Sequence, residues 1–486
     1  MLRKLTFILI IIGVITGLGW LAGRAWYLSG GLTEFVADRA LHRMADDNRA
    51  SSSTKTVAET NFVKHLLGWD APQTYLVLFL NNTELRPGGG FIGAYAVVRL
   101  ANGVPEILKV AGTEALDNAA PKDGLPEPPG PIAKYLKIDR WMFRDSNWSP
   151  DFASSSRQAL RFYELERGVG AGDIDMVIGF TPSLVEEFLK LTGPVTVQGQ
   201  TWESKNFTEQ LEYEVEYDYA KRGVAFSDRK NILGELAETI LGKAARQILT
   251  HWPEYLTLTE RMLAEKQVAV YAVDPEIQKI VSLKHWSGET TMSLGDYLLW
   301  SDANLGALKT DWAIERELEY RILPEPTGGY IATVTMRYNH RGKFDWRTSR
   351  YRTYARVFVP PGSALLKSEF WGEATGRHQS VPTDRGTELN RQWFGASTVI
   401  EPGKTGYLSF SYAVSPAVAS QIARGAYQLR VDKQIGTISP KLTLELDFGK
   451  PLTAAQPPEV KTEQGDGKYR WQTDLRIDRE FKIKLE

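Results

Sequence analysis

The chain contains 0 cysteines in 486 residues. That absence excludes disulfides, thiolate metal sites, cysteine nucleophiles and the lipidation cysteine of a lipoprotein, and it says little about redox compartment. Histidine is nearly as scarce. None of His42, His65, His251, His285, His340 and His378 stands at a metal-ligand spacing from another. The net charge of -1 leaves no basic excess, so no nucleic-acid partner is expected, and no acidic tail suggests a cation buffer. No G-x-S-x-G nucleophile elbow, internal repeat or low-complexity tract occurs. Gly403-Lys404-Thr405 has Thr398 where a Walker loop needs its first glycine; set among strand-like segments, it reads as a turn.

What is present begins with an uncharged apolar run, Leu5 to Ala22. At about 1.5 Å per residue it is near the lower limit for crossing a hydrocarbon core of roughly 30 Å. Arg3 and Lys4 precede it and only Arg24 follows closely. The positive-inside bias therefore places the N-terminus in the cytoplasm and the rest of the chain outside. Trp20, Trp26 and Tyr27 form an interfacial belt at the outer end. The rival reading is a cleaved signal peptide, which lacks a clean small-x-small site here. The sequence thus predicts a single-pass plasma-membrane protein with an extracytoplasmic body.

The body changes texture along its length. Residues 1–24 are the expected transmembrane anchor and 25–70 a helical stalk. Residues 71–308 alternate apolar strands with helices, the pattern of an α/β layer domain with a mixed sheet. Tyr75 to Leu80 and Met176 to Phe180 are continuous apolar runs expected of buried strands. Phe91 to Leu100 and Pro105 to Ala111 flank Asn102-Gly103, a hairpin signal. Helices are expected over Ser154–Glu166, Ser183–Leu191, Asp228–Ile248 and Glu254–Lys266. Residues 309–450 carry short period-two strands punctuated by Gly, Pro and Asn, an all-β sandwich, and 451–486 form a C-terminal tail.

Gly88-Gly89-Gly90-Phe91-Ile92-Gly93 matches G-x-G-x-x-G. The strand-like Ala94 to Val98 follows where a dinucleotide site needs a helix, so a Rossmann site is not expected. Two clusters carry more chemistry. Asn81 to Pro87 with its three glycines has the composition of an anion-binding nest beside Arg86. Arg144 to Phe152 packs one cation, Asp145, Asn147, Asp151 and two serines just before a helix. Each by itself reads more readily as a self-bonded turn, its Arg and Asp paired to one another, and the arginines along the chain have local partners too, Arg86 in Glu84 and Arg229 in Asp228.

The motifs NNTELRPGGGFIG, RDSNWSPDF, DIDMVIGFTPSLVEEFLKLTGPVTV, SDANLGALKTDW and YQLRVDKQIGT resemble the uncharacterised bacterial family called domain of unknown function 4012, over about Ala71 to Phe448. That likeness implies kinship and no activity. The order of elements more distantly resembles the LytR-CpsA-Psr proteins, exported single-pass phosphotransferases that move glycopolymers from polyprenyl pyrophosphate carriers to the cell wall. This second resemblance implies their fold for the α/β domain. Arg86 matches the first arginine of that family, Arg144-Asp145 its Arg-Asp pair, Ile174-Asp175 the start of a strand, Gly193-Pro194-Val195 a turn, and Tyr219 to Arg222 and Asp228-Arg229-Lys230 two later elements. By implication Arg86, Arg144, Arg222 and Arg229 hold a pyrophosphate on one pocket, and Asp145 with Arg144 performs catalysis. Asn147, Asp151, Asp117 and Lys230 stand as further candidates, Mg²⁺ as the implied metal, and polyprenyl-phosphate lipid and cell-wall glycan as partners. Arginine forks suit such a ligand because they pair bidentately with phosphate oxygens. The helix over Ser183–Leu191 would line a prenyl groove. Two departures are informative: Gly88 stands where the family has an aspartate, and Lys230 where it has glutamine. The resemblance implies an envelope protein that binds polyprenyl-pyrophosphate-linked glycopolymer and transfers it to the cell wall; lipid-phosphate binding without turnover, which the first departure favours, stands beside it, and a structural or adhesive surface role is the third expectation.

Overall fold

The computed structural model describes residues 62–121, 123–226, 229–459 and 466–486. The expected anchor, nearly all of the expected stalk and Asp228 lie outside the described residues. Among the described residues, no helix is long and apolar enough to cross a membrane. The chain is mixed α/β.

The first body is a five-stranded mixed sheet of β1 (Gln73–Asn81), β2 (Phe91–Ala101), β3 (Val104–Gly112), β4 (Met176–Phe180) and β7 (Val268–Ala272), in the order β3-β2-β1-β4-β7. Only β1 and β4 run parallel. Asn102 and Gly103, with φ of 51° and 73°, close the expected β2–β3 hairpin, a left-handed pair that Asn-Gly adopts at low cost. Alternation along β1 explains its unbroken apolar run, because both faces are covered. Tyr75 and Val77 pack under α4 (Pro182–Thr192) and α6 (Ile232–Ala264), whereas Leu76, Leu78 and Leu80 pack on Phe152, Phe162 and Tyr163 of α3 (Phe152–Leu165). The shorter helices are α1 (Thr113–Ala119), α2 (Gly130–Leu136), α5 (Phe207–Tyr213) and α7 (Pro275–Leu283), and a small hairpin joins β5 (Val195–Val197) to β6 (Gln200–Trp202). The two helices expected around residue 250 form the single kinked α6. Its backbone leaves helical geometry at His251, φ -123°, two residues before Pro253, whose ring cannot follow an uninterrupted helix.

The second body is a sandwich of two seven-stranded sheets. One comprises β9 (Ile314–Pro324), β10 (Tyr330–His340), β12 (Ala364–Gly372), β13 (Gln379–Ser380), β16 (Thr405–Ala413), β18 (Lys441–Asp447) and β20 (Lys468–Asp474). The other comprises β8 (Asp296–Asn304), β11 (Tyr351–Val359), β14 (Asp384–Glu388), β15 (Arg391–Ile400), β17 (Ala426–Asp432), β19 (Leu452–Gln456) and β21 (Arg479–Leu485). The sandwich therefore starts before residue 309. β8, assigned by sequence to the α/β domain, is buried along its whole length between β11 and β17. Residues after 450, read as a tail, supply β19, β20 and β21. Their mixed charged and apolar letters hide a period-two pattern whose inward members Tyr469, Phe481 and Ile483 join the sandwich core.

Candidate functional site

At the open end of the first sheet, β1 shifts register between Phe79 and Leu80. The helical layer leaves a cavity of about 170 Å³ there. Phe79, Phe91 and Phe180 form its floor, Val185 of α4 and Leu211 of α5 its roof, and Leu233, Leu236 and Ile240 of α6 one wall. Those last three recur at i, i+3 and i+7, the stripe an α-helix turns to one side. A π-helical turn over Glu214–Asp218 follows α5 and places Val215 and Glu216 at the cavity. Such turns add one residue to the helical ladder and are frequent at functional sites.

Charged side chains ring this apolar space. Lys230 reaches the Glu114 carboxylate at 2.8 Å and the Gly93 carbonyl at 2.5 Å. Arg229 pairs with the same carboxylate and lies over the Phe226 ring at 3.5 Å. Burial alone would raise the Glu114 pKa, but Lys230 and Arg229 overcome it and hold the group below its ordinary value. Burial lowers the Lys230 pKa, with Glu114 opposing. Farther along the rim, Lys309 from the sandwich body bridges Glu216 at 3.1 Å and Glu84 at 3.8 Å. Glu212 pairs with Arg347 at 2.6 Å and accepts a hydrogen bond from Thr83. Burial pushes the Glu212 carboxyl up, with Arg347 opposing.

The residues singled out by sequence fall into several separate places. Arg229 and Lys230 sit together at the cavity rim. Arg144 pairs with Asp117, which lies on α1 three residues after Glu114, so the two carboxylates are one turn apart. Arg86 is buried behind the cavity floor. It donates to Asp145 at 3.2 Å, Glu84 at 3.3 Å and the Asn304 carbonyl at 2.7 Å, with its guanidinium 5.4 Å from the Phe91 ring centre. Arg222 stands apart, paired with Glu214 and Asp218. Asp151 caps α3, accepting from the Ser154 amide at 2.8 Å and the Thr290 amide at 3.0 Å. Asn147 donates to the Gly90 carbonyl at 2.7 Å.

The glycine loop is not an open nest. The Leu85 amide donates to Asp311, the Gly88 amide to the Asn147 carbonyl, the Gly89 amide to the Arg86 carbonyl and the Phe91 amide to the Glu84 carbonyl. The loop is a wedge between the two bodies: the Asn304 amide donates to the Leu85 carbonyl at 2.9 Å, and Gln434 to the Arg86 carbonyl at 3.2 Å. A Cβ at Gly88 would stand 2.8 Å from Ser155 Oγ and 2.9 Å from Asn147 Cβ. There is no room for the aspartate that the phosphotransferase resemblance puts here. The donor set does not fit the Mg²⁺ that resemblance implies. Asp145 is bonded to Arg86 and Asp117 to Arg144, and among the described residues no three His, Asp or Glu side chains converge as a metal site.

A second buried cluster adjoins Arg144. Glu166 accepts from the Phe143 amide at 2.8 Å, and its carboxyl is pushed up to about 8 by burial and then by the Asp117 charge.

Residues 70–216 match the family model described as Protein of unknown function (DUF4012), a stretch running from β1 into the π-helical turn. No curated protein matches. Solved structures give weak likenesses. A candidate nutrient binding protein of Legionella pneumophila aligns at TM-score 0.24 and 10% identity, over 35% of this chain and 67% of that one. A Deinococcus radiodurans M1 zinc metallopeptidase aligns at 0.21 and 13%, over 35% and 42%. Yeast LTA4 hydrolase aligns at 0.22 and 6%, over 35% and 29%.

Glu114, Lys309, Glu212 and the cavity itself escaped the sequence reading. The available signal was the apolar stripe on α6, which ordinary core packing writes in the same letters.

Proposed function

We propose that the chain is a membrane-anchored protein of the cell envelope that binds a phosphorylated lipid, with the first units of the hydrocarbon chain in the cavity and the phosphate at Arg229 and Lys230. The observation that carries this reading is the juxtaposition of an apolar, helix-roofed cavity with two cations sharing one carboxylate. Glu114 acts as a placeholder: a phosphate entering at the rim takes its place between the cations, with charge-assisted bonds about twice as strong as neutral ones. The distant phosphotransferase resemblance and the Leu5–Ala22 run support a polyprenyl carrier outside the cytoplasm as the ligand. Binding without transfer is favoured over transfer, because Asp145 and Arg86 are engaged with each other and Gly88 leaves the implied metal without its aspartate.

The test is a titration of the full-length protein in detergent with undecaprenyl phosphate and with undecaprenol. Preference for the phosphate by tenfold or more, lost in Lys230→Ala, is the expected result. Equal affinity for both, or no binding of either, overturns the reading.

A further inference from the structure

We infer that an aromatic platform beside the cavity rim binds the pyranose ring of a saccharide. The site lies outside the cavity and goes beyond the lipid reading. The π-helical turn that aims Val215 and Glu216 at the cavity leaves Tyr213 and Tyr217 on the outer surface, 37% and 43% exposed. Their rings stack with centres 5.8 Å apart and planes 24° from parallel. Trp346, from the sandwich loop between β10 and β11, meets both edge-on, at 5.2 and 5.6 Å. Three consecutive links tie this platform to the rim, and a fourth contact braces it. Trp346 precedes Arg347, Arg347 bonds Glu212, Glu212 lines the cavity, and Arg347 also lies over the half-exposed Trp312 ring at 4.5 Å.

Aromatic side chains with a polar end, half in water, suit ligands that are apolar on one face and polar at the edge. A pyranose is such a ligand: its axial C–H groups pack on a ring face while its equatorial hydroxyls project sideways. The surroundings supply partners for those hydroxyls. Lys221 donates to the Tyr213 hydroxyl at 2.9 Å, Asp218 lies one turn away, and the Glu209 side chain is 59% exposed. A protein-binding patch would instead be wide and poor in charge at its centre. Here a few rings are enclosed by Lys221, Asp218, Glu209 and Arg347. Two bodies of the chain contribute rings, so the platform exists only in the whole protein.

The test uses the full-length protein in detergent, with no lipid added, titrated with chitotetraose and with cellotetraose while tryptophan fluorescence is followed. The expected result is saturable quenching by at least one sugar, weakened tenfold or more in both Tyr217→Ala and Trp346→Ala and retained in Tyr217→Trp. Near-ultraviolet circular dichroism checks that the variants keep their packing. No saturation by either sugar at about 20 mM, the weak end of millimolar recognition, overturns the proposal. So does equal affinity in the wild type and both alanine variants. If the variants lose only co-sedimentation with phosphatidylglycerol vesicles, the platform is a membrane contact and the proposal also fails. Because lipid is absent, failure here leaves the cavity reading standing, and failure of the cavity reading leaves this one.

Discussion

Glu114 and Asp117 stand one turn apart on α1 and hold different cations, the first Arg229 and Lys230 and the second Arg144. A seven-residue helix thus gathers three of the cations that the sequence set apart as ligand candidates, although 85 positions separate Arg144 from Arg229 in the chain (229 - 144 = 85). In this account Glu114 offsets one of the two positive charges at the lipid-phosphate site until a ligand arrives.

Replacing that placeholder separates stability from binding. Glu114→Gln leaves Arg229 and Lys230 without their carboxylate, and a loss of about 1–3 kcal/mol in unfolding free energy is expected. The same change removes the competitor for phosphate. Undecaprenyl phosphate is therefore expected to bind several-fold more tightly, and inorganic phosphate to raise the melting temperature of the variant more than that of the wild type. Calorimetry with and without phosphate checks both signs.

Arg86 is expected to behave as a structural cation. It is buried against Asp145 and Glu84, so Arg86→Ala strands two carboxylates away from water. A cost of about 3–5 kcal/mol follows, typical of breaking a buried pair. Arg222 is itself partly exposed and Arg222→Ala strands one buried carboxylate, Glu214, rather than two, so it is expected to cost less. Urea unfolding of the two variants distinguishes them.

Gly88→Asp should not restore a metal site. The Cβ alone would press on Ser155 and Asn147, so the variant is expected to lose about 1–3 kcal/mol. Its melting temperature should be indifferent to millimolar Mg²⁺. A Mg²⁺-dependent rise of several degrees would contradict the close packing.

Much of the α/β layer was legible because its strands are buried on both faces, which writes continuous apolar runs, and because Asn102-Gly103 is a strong turn signal. The sandwich boundary was less so. β8 is buried throughout and reads like another strand of the first sheet, while β20 and β21 alternate charged and apolar letters as a loose tail would. At the site, sequence singled out Arg144, Arg229, Lys230 and Asp117 but not the carboxylate that pairs Arg229 with Lys230. Glu114 is a lone acidic letter on a short helix, and its role comes from tertiary folding. Arg86 and the glycine loop were legible as unusual and ambiguous in purpose: tight loops that wedge two bodies together use the same residues as loops that cradle anions.

The Asp117–Glu166 pair sets a pH dependence. Burial, then the Asp117 charge, raises the folded Glu166 carboxyl to about 8, whereas an unfolded glutamate titrates near about 4.3. Between those values the folded state binds more protons than the unfolded state, so stability falls as pH rises. The contribution is fully present below about pH 4 and is lost as pH passes through about 8. Glu166→Gln is expected to flatten the decline in melting temperature between about pH 5 and 8, and thermal scans across that range check it. An unchanged slope would show that Glu166 is ionised in the fold.

The most direct measurement is native mass spectrometry of the full-length protein purified in mild detergent from its own membranes, with organic extraction of whatever it carries. A one-to-one adduct is expected, and its extract should contain a phosphorylated long-chain lipid. The adduct should be abolished by Leu211→Trp, which fills the cavity, and should be enriched in Glu114→Gln. A protein that carries no lipid and gains none when undecaprenyl phosphate is supplied, or one whose adduct survives Leu211→Trp unchanged, would contradict it.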